Sequence, residues 1–135
     1  MKKFLLLIII PILLLSCDDS KNDLNMKVVN LTVSSSDWIE NLDQNGLNRY
    51  YSCHFSMPEI TSSVYQNGNV NGYIVFNNSQ QMLPYVRHYE NAAGAMWTRT
   101  VDFDYSAGGL NIYVTNSDFI VDPPEAMDFR VAIVW

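Results

Sequence analysis

From Lys27 onward, apolar and polar residues alternate with a period of two, the spacing of a half-buried strand whose successive side chains point to opposite faces. Val29, Leu31 and Val33 define one face of a first strand, with Asn30 and Thr32 behind them. Tyr51, Cys53, Phe55 and Met57 alternate with Ser52, His54 and Ser56 in a second, until Pro58 removes a ladder donor. Val70, Gly72, Ile74 and Phe76 form a third apolar face, and residues 81–86 a short fourth strand in which Pro84 marks an edge or bulge. Trp97, Val101, Phe103 and Tyr105 make the fifth strand, Leu110, Ile112 and Val114 the sixth, and Phe129, Val131, Ile133 and Trp135 the seventh. Residues 106–109, Ser-Ala-Gly-Gly, supply the permissive dihedrals of a tight hairpin between the fifth and sixth. Seven short strands separated by turn signals predict an all-β fold, a two-sheet β-sandwich.

Two segments leave this rhythm. Ile60 and Val64 are spaced as on a helix, and the stretch ends in Asn67-Gly68, which predicts one or two helical turns with a left-handed stop. Ser36, Asp37, Trp38 and residues 41–48 read as a polar loop, with Trp38 expected to cover one end of the core. No internal repeat or heptad is present, which excludes a solenoid or coiled coil.

The N-terminus has a different character. Lys2 and Lys3 precede an apolar run over residues 4–15, followed by Ser16 and Cys17. Twelve helical residues span about 18 Å against a hydrocarbon core of roughly 30 Å, so the run reads as a secretion signal rather than a permanent span. Leu14-Leu15-Ser16-Cys17 resembles a bacterial lipobox, with Leu15 a departure from the smaller residue usual there. That resemblance implies cleavage after residue 16, a diacylglycerol thioether on Cys17 and acylation, as by palmitate, of the new amino group. Residues 17–26 then form a flexible acidic tether reaching about 17 Å, and residues 27–135 the folded domain. Acidic residues directly after the cysteine also resemble the surface-export tail of Bacteroidetes lipoproteins. The expected location is the cell envelope, lipid-anchored, at the outer membrane.

Composition narrows the partners. The chain has 135 residues, 48% of them hydrophobic, and a formal net charge of −6. Loss of Lys2 and Lys3 with the signal leaves six basic side chains against fourteen acidic, a net charge of −8. Scattered basic residues in so acidic a domain give no nucleic-acid groove. The two cysteines become one lipidated residue and one lone thiol, Cys53, leaving no disulfide.

Pro58-Glu59-Ile60-Thr61, followed by Val64, Gly68, Val70, Tyr73 and Leu83-Pro84-Tyr85, forms a series that resembles a family of small lipoprotein domains found widely in Bacteroidetes. The resemblance covers residues 28–135. It implies a secreted, lipid-anchored β-sandwich and brings no activity or catalytic residues with it.

Candidate chemistry is sparse. Cys53 and His54 are adjacent on a strand and so face opposite ways, which makes Cys53 a buried thiol rather than half of a nucleophilic pair. Neither His54 nor His88 has ligands at metal-binding spacing, so no metal or other cofactor is expected. Asn41-x-Asp43-x-Asn45-Gly46 has the alternation of a calcium loop but ends on Ser52 where a bidentate glutamate is needed, and reads as an Asx-type turn. Asp102 and Asp104, two apart on one face, have the spacing of an acid–base pair; as ordinary outward charges they would instead guard a sheet edge. The aromatics are the remaining lead: Tyr50, Tyr73, Tyr85, Tyr89, Trp97 and Tyr113 are many for one small domain. Tyr50, Tyr73 and Tyr113 fall opposite the apolar alternation, where they would contact a ligand. The expected role is non-catalytic binding or structure, toward a glycan, envelope polymer or partner protein. The alternatives are a small hydrolase using Asp102, Asp104 and His88, or an accessory subunit that docks through an edge strand.

Overall fold

The computed structural model describes residues 24–135; the expected signal, Cys17 and the first part of the expected tether lie outside them. Nine strands form two antiparallel sheets: β1 (Met26–Val33), β2 (Ile39–Leu42), β3 (Arg49–Met57), β4 (Asn69–Phe76), β5 (Ser79–Met82), β6 (Tyr85–Glu90), β7 (Met96–Ser106), β8 (Gly108–Asn116) and β9 (Met127–Val134), with helix α1 (Ser62–Asn67) between β3 and β4. One sheet has the order β1-β9-β4-β5 and the other β2-β3-β8-β7-β6. The all-β sandwich expected from the alternation is therefore the fold.

The alternating apolar residues meet between the sheets. Val33, Phe129, Val131, Ile133, Val70 and Ile74 face Tyr51, Cys53, Met57, Leu110, Ile112, Val114 and Val101, all of them buried. Trp38 closes one end of this layer: its ring meets Phe129 edge-on at 6.5 Å, and its Nε1 donates to the Glu125 carbonyl at 3.2 Å. Burial of the Cys53 thiol, with Asp37 adding to it, holds its pKa above the usual thiol value, as befits an inert core residue.

The helical turn forms where expected. The Thr61 hydroxyl accepts from the Val64 N–H at 3.2 Å as N-cap, and Ile60 and Val64 are both buried. Its stop differs from the expectation: Gly68 is extended, at φ −92°, rather than left-handed. The reason is space. A Cβ on Gly68 would lie 2.8 Å from the carbonyl oxygens of both Val64 and Val134, so glycine lets the helix end abut β9.

Two strand assignments also change. Asn41 and Leu42, expected as loop, belong to β2 with Ile39 and Glu40, pairing Ile39 with Ser52 and Leu42 with Arg49. β2 is an edge strand with Ile39 and Leu42 exposed, so no buried face imprints a period on its sequence. Residues 81–86, expected as one strand, are split between β5 and β6 in different sheets, with Leu83 buried at the crossing beside Pro84. Phe76 and Trp135, placed on apolar faces by the alternation, are 41% and 44% exposed because both lie where their strands end.

An inter-sheet cleft as candidate functional site

The sheets do not close on each other everywhere. On the inward face of the β6–β7 hairpin, the cross-strand pairs are Tyr85 with Val101, Arg87 with Arg99, and Tyr89 with Trp97. Tyr85 and Val101 are buried in the core, whereas Tyr89, Trp97 and Arg99 are half-buried and Arg87 is exposed. Beyond the core a cleft of about 580 Å³ therefore opens, walled by Ile74 and Phe76 of β4, Met127 and Asp128 of β9, and Tyr85, Tyr89, Arg99 and Val101, with Asn77, Glu125 and Ala126 at its margin. This volume lies within the roughly 300–1,000 Å³ range of small-molecule sites.

Arg99 organises the cleft. Its Nε donates to Asn116 Oδ1 at 3.0 Å, and its Nη1 donates to both Glu125 oxygens at 2.7 and 2.9 Å. Its guanidinium lies 5.4 Å from the Tyr89 ring centre, and that ring is stacked on Trp97 at 5.4 Å and 13°. Burial and a hydrogen bond with Tyr85 keep the Tyr89 phenol protonated above its ordinary pKa. Arg87 covers Tyr85 in the same way at 5.3 Å, donates to the Tyr85 hydroxyl at 3.3 Å, and reaches Gln81 of β5 at 3.3 Å, bridging the two sheet edges. Phe76 meets Tyr85 at 5.5 Å from the facing sheet. The cleft thus combines aromatic surface with charged and hydroxyl groups already held in place.

The sequence singles out Tyr85, Tyr89 and Trp97 among the aromatics but not Arg99, Arg87 or Glu125. One signal for Arg99 was present: it occupies the position between Trp97 and Val101 where the inward alternation demands an apolar residue. For Glu125 there was none. It sits on an irregular loop, residues 117–126, held down by buried Pro124 and by the Trp38 bond. The tip of this loop exposes Phe119, Ile120 and Val121, and Phe119 has a positive φ of 52°.

The three tyrosines proposed as contacts do not form one row. Tyr50 and Tyr113 are neighbours on the outer face of the five-stranded sheet, with ring centres 6.1 Å apart, whereas Tyr73 lies on β4 of the other sheet, opposite Met82 and Arg130. Around the first two runs a polar chain: His54 Nδ1 donates to Asn111 Oδ1 at 2.8 Å, Asn111 Nδ2 donates to Asp104 Oδ1 at 2.7 Å, and the Tyr113 hydroxyl donates to Asp104 Oδ2 at 2.8 Å. The Asn111 Nδ2 bond to a carboxylate fixes the amide orientation, and with it the proton on His54 Nδ1. Asp102 and Asp104 share this face, and burial first, then the Asp104 charge, raises the Asp102 pKa. They do not guard an edge, because β7 lies between β8 and β6. His88 stands apart from them. It bonds Thr98 Oγ1 at 2.9 Å, four residues and roughly 13 Å along β7 from Asp102.

Burial and the bond to Asp104 push the Tyr113 phenol up to about 12. A raised folded-state pKa favours the protonated form, so this contribution to stability is complete below the ordinary value of 10.0 and is lost as pH rises through about 12. An ultraviolet tyrosinate titration should show a late phase to which Tyr51, Tyr89 and Tyr113 contribute, and Tyr113→Phe should reduce its amplitude by one tyrosine. An undiminished late phase in the variant would contradict the assignment.

The Asn41–Asn45 motif is a turn. Asp43 Oδ1 accepts from the Asn45 and Leu47 N–H groups, and Oδ2 from Asn48 Nδ2 at 2.6 Å, bonds that lower the Asp43 pKa despite some opposing desolvation. No family model, curated protein or solved structure matches this chain.

Proposed function

We propose that this chain is a lipid-anchored binding module of the cell envelope that receives a saccharide in the cleft between its sheets. The observation that carries this is the position of the cleft. Asn25 and Trp135 exchange backbone hydrogen bonds at 2.9 and 3.0 Å, placing the end of the tether at the Val134 end of β9, whereas Asp128 and Met127 line the cleft at the other end. Eight residues of strand, about 24 Å or more, separate the two. A domain tethered through Cys17 would present the cleft away from its membrane. Aromatic rings beside hydroxyl, amide and charged groups suit a sugar, which offers apolar ring faces and a polar rim.

A second reading has its own support: Tyr50 and Tyr113, with Asp102 and Asp104 beside them, offer a shallow contact surface on the outer sheet face. The hydrolase alternative has less, since His88 is not near the aspartates. The test is an oligosaccharide array probed with the detergent-solubilised protein, followed by titration of the best ligand. Tyr89→Ala should weaken binding at least about tenfold, or 1.4 kcal/mol, and Tyr113→Ala should not. Binding that depends on Tyr113 and survives loss of Tyr89 would move the site to the outer face. An array without a single bound saccharide would overturn the proposal.

A further inference from the structure

We propose that the saccharide is acidic, and that its carboxylate takes the place of Glu125 on Arg99; this rests on the cleft being the binding site. Four arginines serve the whole acidic chain, and one of them, Arg99, stands in the cleft lining.

Arg99 is also built as a receptor. Asn116, itself buried, holds Nε, and Tyr89 lies along the guanidinium, whose side chain is 15% exposed. The planar group is therefore fixed in direction while its Nη1 faces the cleft margin, where it meets a carboxylate. That carboxylate comes from Glu125, whose side chain is 64% exposed and stands on the loop of residues 117–126. The carboxylate side of the pair is open to solvent, so a ligand carboxylate with additional contacts can compete with it for Nη1. Asp128, the other acid of the cleft lining, already accepts from the Thr32 hydroxyl at 2.7 Å. The Asn77 amide and the rings of Tyr85 and Tyr89 line the same cleft, where they would meet the sugar.

The probes are α-1,4-linked trigalacturonic acid and its neutral counterpart, galactotriose, titrated by calorimetry into the detergent-solubilised protein. The acidic trimer should bind at least tenfold more tightly. Glu125→Gln, a change at an exposed side chain, should tighten the acidic trimer by roughly threefold to tenfold relative to the neutral one. Arg99→Gln should abolish the preference; if that variant does not fold, the Glu125→Gln comparison still decides. Equal affinity for the two trimers in the unmodified protein, or weaker acidic binding in Glu125→Gln, would overturn the carboxylate inference while leaving saccharide binding standing. Binding of neither trimer would overturn this inference, and the array distinguishes that result from failure of saccharide binding altogether.

Discussion

Phe129→Ala should lower the unfolding free energy by about 3–5 kcal/mol, the range for deleting a large ring from a packed core. Phe129 is 1% exposed as the third residue of β9, with Leu31 of β1 opposite it on one side and Ile74 of β4 on the other. The Trp38 ring abuts it edge-on, so truncation also removes the partner that seats the end of the core. Neighbours on both adjacent strands are fixed by the ladder and cannot collapse into the space, which places the expected loss toward the upper part of that range. Domains of this size are stable by about 5–15 kcal/mol, so the variant should lose a large share of its stability. The check is a urea transition with a lowered midpoint and an unchanged slope, compared with Leu47→Ala at a position 76% exposed, which should shift by less than about 0.5 kcal/mol. A change below about 1 kcal/mol for Phe129→Ala would contradict the packing described.

Cys17→Ser should abolish incorporation of labelled fatty acid completely and leave the precursor uncut or the protein released from the membrane. Serine offers no thiol for a thioether, and without that first modification the signal over residues 1–16 would lack its cleavage context. The size of the effect follows from the number of chains. Each buried methylene contributes about 0.8 kcal/mol, and one acyl chain gives only marginal attachment where two or three hold stably. Loss of all of them removes the anchor rather than weakening it. Labelling at the unmodified level in the variant would end the lipoprotein reading, while the fold of residues 24–135 would stand unaffected.

Strands whose inward face is buried along most of its length were legible in the sequence, because burial writes a period of two. The faces of Leu110-Ile112-Val114 and Phe129-Val131-Ile133 are of that kind, Val29-Leu31-Val33 keeps the same period with only Val33 fully buried, and Trp38 is recognisable as a large apolar residue stranded in a polar loop. β2 and β5 were not legible, since every residue of β5 is exposed and β2 packs only marginally. Pro84 signalled an interruption correctly, but whether the chain bends within a sheet or crosses to the other depends on Leu83 finding a place in a core built by distant residues. Gly68 was recognised as a stop, yet its cause is a contact with Val134, sixty-six positions away in sequence, which local turn chemistry does not encode. The cleft was half visible. Its aromatics stood out by number, whereas its geometry depends on where two sheets diverge, and that is a property of tertiary packing alone. The outer-face tyrosines were read to the correct side of their strands, but alternation within a strand does not say which strands share a sheet, and Tyr73 was separated from Tyr50 and Tyr113 on that account.

The position of β9 between β1 and β4 has a consequence in time. The earliest strand to emerge from a ribosome or a translocation channel has no neighbour in its own sheet until residues 127–134 have followed. Closing that separation of about a hundred positions is entropically slow, and β4, already paired with β5, lacks its other neighbour until the same strand arrives. Until then one half of the sandwich is an exposed apolar face lacking its central member. The four-stranded sheet is thus complete only once β9 has taken its place between β1 and β4.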